Sequence, residues 1–276
     1  MTTATLRPGA AVPAFGPGLA GFHHLLRSEW TKIWSVRSTA WTLAILVILG
    51  IGLDILIVGV SVAHWNTLGP ANRQTFAARG VFGPGLTFAQ LPVSVLGVLV
   101  ITSEYTTGMI RSSLLAVPRR TPMLAAKAAV FGAVAFAAGE LLAFVSFPIA
   151  QAIIGSRIPE SLGDPATLRA AAGAGLYLAV IGLFSFAIGV VVRHTAAAIT
   201  AVVVIFVVLG DLTQLIPGTI GRHITAYMPA NAGILITYIH QQGASLLSPW
   251  QGLGVFCLWT AALLAAAGFL LARRDA

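Results

Sequence analysis

Apolar residues along this chain gather into long blocks separated by short polar breaks. A helix that crosses a membrane needs about 20 mainly apolar residues at 1.5 Å rise each. Six blocks reach that length, at residues 41–63, 82–102, 123–153, 170–192, 195–215 and 250–272. Thr121-Pro122, Asp164-Pro165 and Ser248-Pro249 stand just ahead of the third, fourth and sixth blocks. A capping side chain followed by proline at the first helical position predicts a helix start at each. Arg193-His194 leaves room only for a very tight turn between the fourth and fifth blocks. The pattern predicts an all-α polytopic membrane protein with six transmembrane helices.

The flanking segments differ in kind. Residues 1–21 are rich in Pro and Gly and lack a basic start leading into a long apolar core. They read as a disordered tail rather than a cleaved signal peptide. Over residues 22–38, Phe22, Leu25, Leu26, Trp30 and Ile33 recur at helical spacing, with Arg27, Glu29, Lys32 and Arg37 on the other side. A basic amphipathic helix with tryptophans predicts one lying in the membrane interface. The polar loop after the first block carries Asn66, Asn72, Arg73 and Arg79. The longest connection, 213–247, has short apolar stretches broken by Pro217, Gly218 and Pro229. It fits either re-entrant or interfacial short helices, or a compact cap on the outer face.

Composition agrees with the pattern. Charged residues make up 9% of the chain, where soluble domains carry about 25%. The hydrophobic share is 57% and the mean hydropathy is +0.90, which excludes an ordinary soluble enzyme and a disordered chain. The net charge of +8 needs no nucleic acid, because basic residues collect on the cytoplasmic side of membrane proteins. With the N-terminus inside, 11 Lys and Arg fall on the cytoplasmic side and 5 (Arg73, Arg79, Arg157, Arg169 and Arg222) on the other. Both termini are therefore expected in the cytoplasm, with membrane lipid the surrounding partner. A single cysteine, Cys257, allows neither an internal disulfide nor a Cys-based zinc site. The 14 arginines against 2 lysines suggest a GC-rich bacterial genome, hence a bacterial cytoplasmic membrane.

Two acids, Asp54 and Glu140, lie near the middle of the first and third blocks. An acid there costs about 2.5–3.5 kcal/mol on insertion scales and usually faces a partner or a cavity. No Lys or Arg lies at comparable depth. Three readings stay open: a protonated structural group hydrogen-bonded to a neighbour, the lining of a wet translocation pathway, or contact with a cationic substrate. Gly175, Gly182 and Gly189 repeat every seven residues and so share one helix face, as do Gly132 and Gly139. That face packs either within one subunit or between subunits. Catalytic patterns are missing: no G-x-S-x-G, no H-E-x-x-H, and no catalytic or metal constellation among the histidines.

The connection between the second and third blocks, ITSEYTTGMIRSSLLAVPRRTPMLAAK, places Glu104 at the membrane edge and a short amphipathic run with Arg111 before Arg119-Arg120. On pattern alone it is either a helix cap with positive-inside arginines or a docking helix. Together with RSEWTKIWSVRST, this stretch resembles permease subunits of type-2 ABC exporters over about residues 22–275. Its most specific feature is EY-x-x-G-x-[IL]-R. The resemblance implies six spans, a connecting helix before the first and re-entrant helices before the sixth. It also implies that Glu104, Tyr105, Gly108, Ile110 and Arg111, with Arg119 and Arg120, belong to a segment that couples to an ATP-binding subunit.

A phosphate-cradling G-x-x-x-x-G-K-[ST] loop needs lysine after its second glycine. The only lysines, Lys32 and Lys127, follow Thr31 and Ala126. The chain is thus expected to bind no cofactor itself, with ATP and Mg held by a separate subunit. By the resemblance, six spans make half a transporter, so a second permease copy is expected, most simply as a homodimer. The rival readings are an ATP-independent secondary transporter or channel, and a membrane scaffold or immunity protein.

Overall fold

A computed structural model of the chain describes residues 19–35, 37–79, 82–108, 120–241 and 245–273. The described residues are helical with no strand. Six helices are long and apolar enough to cross a membrane: Thr39–Ala63, Gly85–Thr106, Thr121–Arg157, Pro165–Val192, Thr195–Leu215 and Pro249–Arg273. We number these spans one to six. Most of the expected tail, residues 1–18, lies outside the described residues, but Leu19 already opens the amphipathic helix Leu19–Ser35.

Spans two, three and four form the centre of the bundle. They bury 61, 56 and 67% of their apolar window, against 22% for spans one, five and six. Small residues decide this. A Cβ on Gly139 of span three would lie 2.8 Å from the Gly175 Cα of span four, and one on Gly182 would lie 2.9 Å from the Phe131 ring. Gly189 meets span two instead, where its Cβ would be 3.3 Å from the Val98 carbonyl. The seven-residue glycine row thus packs span four against its own neighbours within the chain. One polar pair in the centre is closely matched. The buried Tyr177 hydroxyl donates to Gln90 Oε1 at 2.8 Å, which avoids the cost of an unpaired buried group.

The helix starts differ from one another. Ser248 and Gln251 cap reciprocally, Ser248 N donating to Gln251 Oε1 at 2.9 Å and Gln251 N to Ser248 Oγ at 3.4 Å. Pro165 opens span four as expected, but Asp164 makes no side-chain cap bond. Thr121 is already inside its helix, which begins at Arg120 and runs to Ile154. At 35 residues that helix is about 52 Å long, so its ends project beyond a hydrocarbon core of about 30 Å. Between spans four and five Arg193 takes a left-handed conformation, φ 59°, and the His194 ring nitrogen accepts from Ala197 N at 3.4 Å.

Two features depart from the sequence reading. The loop after span one contains a helix, Pro70–Arg79. Span five is not uniform: its α-helix Thr195–Val203 passes into a π-helix, Val204–Leu209. Asn231 Nδ2 donates to the Gly210 carbonyl just beyond it, at 3.3 Å.

The outer segment forms a helix, Gly218–Tyr227, a turn of helix, Pro229–Gly233, and a 3-10 turn, Ile234–Thr237. Trp259 Nε1 donates to the Tyr227 carbonyl at 3.2 Å. Trp259 lies ten residues into the sixth-span helix that opens at Pro249, about 15 Å along its axis. The chain therefore dips beside span six and returns, burying Ala232 and Ile236. This packing along the side of a spanning helix is what short re-entrant helices would give, more than a cap laid over the outer face.

Candidate functional site

The amphipathic helix meets spans two and three through charge. Glu29 and Ile33, one turn apart, are both buried, whereas Trp30 and Trp34 stay half exposed. The sequence reading put Glu29 on the polar side, and the structure buries it, whereas the exposed Trp30 fits a helix lying in the membrane interface. An indole suits the membrane interface, and a glutamate can be buried where a cation meets it.

That cation is Lys127, seven residues into the third-span helix. Its Nζ lies 2.5 Å from Glu29 Oε2 and 2.6 Å from Glu104 Oε1, and all three side chains are only 4% exposed. Lys32 closes the group from outside, 2.7 Å from Glu29 Oε1 and 3.6 Å from Glu104 Oε1. Two carboxylates and two ammonium groups leave the cluster neutral. Burial alone would pull the Lys32 ammonium down, but the hydrogen bond and charge of Glu29, with the charge of Glu104, outweigh it and hold it above its ordinary 10.5. Its contribution to stability is thus complete below about pH 10.5 and fades only as pH rises through the raised value.

Tyr105, next to Glu104, carries the Arg193 guanidinium 5.3 Å from its ring centroid, within reach of a cation–π attraction. The end of span two therefore also touches the turn between spans four and five. Gly108 follows the C-cap Thr107 and has φ 70°, with open space where a Cβ would stand. Its glycine is required by the left-handed turn that ends the helix, not by crowding. Ile110, Arg111 and Arg119 lie outside the described residues. Arg120 opens the third-span helix, and its side chain also lies outside them.

The two mid-membrane acids are separate. Asp54 is fully buried and its Oδ1 accepts from Gly85 N at 3.0 Å. Gly85 is the third residue of the helix Gly83–Thr106, so Asp54 satisfies one of the orphan N–H groups at its start. A carboxylate sealed into a helix N-terminus is a structural group, and of the three open readings this geometry favours the first. Glu140 is only part-buried and sits against Gly175, where a Cβ would lie 2.8 Å from its Cγ. The space left by the first glycine of the row is thus filled by Glu140.

At the opposite end Arg169 Nη1 donates to the Ile236 carbonyl at 2.9 Å, and Nη2 to those of Tyr238 and Ile239 at 2.8 and 3.2 Å. Glu160 pairs with His240 at 2.8 Å and accepts from Thr167 at 3.1 Å. Sequence reasoning missed Glu29, Lys127 and Arg169. A signal was present for Lys127, one of two lysines, standing in the run AAKAA inside an apolar helix, where an ionisable group implies a partner.

Fold and site together define a multi-pass membrane protein with a buried ionic cluster at one end of its bundle. No protein-family model matches the chain, and no curated protein matches it.

Proposed function

We propose that this chain is the membrane-spanning permease subunit of an ATP-driven exporter of the type-2 ABC class. It moves a small molecule, lipid or antibiotic-like substrate outward across a bacterial cytoplasmic membrane. A separate subunit binds ATP and Mg, and two permease copies complete the transporter. The resemblance of SEYTTGMIR and its flanks supports the class.

The observation that carries the mechanism is the Glu29–Lys127–Glu104 cluster. It joins the amphipathic helix and spans two and three at the same end from which residues 109–119 depart. A push on that connection by an ATP-binding partner reaches three helices at once, because their roots share one buried lysine. Tyr105 against Arg193 extends the contact to spans four and five.

The test is co-purification of the tagged chain from its native membrane, followed by transport assays. An ATP-binding subunit should come down with it, and Arg111→Ala should lower export while the complex still assembles. Glu104→Gln probes the cluster itself and should impair both stability and export. If no ATPase accompanies the chain and Arg111→Ala exports normally, the reading fails.

A further inference from the structure

Glu140 lies near the middle of the helix Arg120–Ile154, on the line where span three meets span four. Among the described residues no ion pair involves it. Its Oε1 is buried and receives no hydrogen bond from a side chain. One turn to either side, at i−4 and i+4, Phe136 and Phe144 are 38 and 41% exposed. The three therefore share one helix face, with an exposed ring on either side of a part-buried carboxylate. The Glu140 side chain itself fills the space that a Cβ on Gly175 would need, 2.9 Å from its Cδ, so the carboxylate lies at the seam of spans three and four.

Each element of this row favours the same kind of occupant. A mid-membrane carboxylate calls for a positive partner. The faces of two flanking phenyl rings attract cations, and the surrounding Leu141, 52% exposed, offers apolar contact. No Lys or Arg of the sequence stands at that depth, so a second copy of the chain has no cation to supply. We propose that the Phe136–Glu140–Phe144 row is a binding site for a hydrophobic organic cation that approaches sideways from the lipid, beside the seam of spans three and four. That the cation is cargo rests on the permease reading; that it binds does not.

The probe is tetraphenylphosphonium, with neutral tetraphenylmethane as its uncharged counterpart, offered to the purified full-length chain in lipid nanodiscs. Equilibrium dialysis should give saturable binding of the cation, with tetraphenylmethane a poor competitor. Glu140→Gln should weaken binding about tenfold or more, and Phe136→Leu or Phe144→Leu about threefold each. Glu140→Asp should keep part of the affinity and tests the charge if the glutamine variant unfolds. Asp211→Asn, at an exposed acid on the outer side, should change nothing. Unchanged affinity in Glu140→Gln, equal competition by tetraphenylmethane, or equal loss in Asp211→Asn would each overturn the site. So would disulfide-linked dimers of Glu140→Cys in a Cys257→Ser background, which would place a second copy on the row. Because the assay contains no ATPase, a chain that binds the cation but has no ATP-binding partner refutes the permease reading alone.

Discussion

The two ends of the bundle are held by opposite uses of charge. At one end Lys127 is enclosed between two buried glutamates, with Lys32 completing a neutral group of four. At the other, Arg169 gives its donors to three backbone carbonyls of the segment between spans five and six. The first ties regular helices together through side chains. The second ties irregular backbone, whose carbonyls have no helical partners and must be satisfied in some other way inside a membrane. A guanidinium, with five donors in a fixed fork, suits several carbonyls at once, whereas an ammonium suits a close cage of carboxylates. The ionic end is all-or-none, because removing one member strands the others without water. The carbonyl end can lose contacts one at a time.

That contrast can be broken, beginning with its strongest member. Lys127→Met leaves Glu29 and Glu104 buried together, and should destabilise the chain by about 3–5 kcal/mol, read as a lower thermal unfolding temperature in detergent. The triple variant Glu29→Gln, Glu104→Gln, Lys127→Met should recover most of that loss. If the single variant costs nothing, the cluster is not closed to water. Arg169→Met should cost less, about 1.5–3 kcal/mol, and faster hydrogen exchange should be confined to residues 229–239. Exchange that spreads through spans two and three would show that the two ends are not independent. The smallest effect belongs to His240→Ala. Its ring is 58% exposed beside Glu160, so the change should stay below about 1 kcal/mol and diminish further at high salt.

How much of this was readable in advance depended on the range of the interaction. The six spans were legible because length and hydropathy are local properties. Their bounds came out within a few residues, as at 250–272 against Pro249–Arg273. Gly108 was singled out by resemblance, and the structure supplies its reason in a positive φ. Glu29 was placed on the wrong face because a helical pattern assumes that charge faces water. Glu29 instead faces a lysine 98 residues away. The π-helix of span five has no composition of its own in VIFVVL, and nothing local marks it.

The sequence by itself determined that this is a multi-pass membrane protein. Long apolar helices must leave water, and the skew of basic residues then proposes which ends face the cytoplasm. Only the tertiary structure decided what the rare polar groups do. It turned Asp54 into a helix cap, set Glu140 part-buried against Gly175, and drew Glu29, Glu104, Lys127 and Lys32 into one neutral cluster. The physical reason is that hydrophobicity acts residue by residue on the solvent, whereas a buried charge is stabilised only by the particular group that meets it.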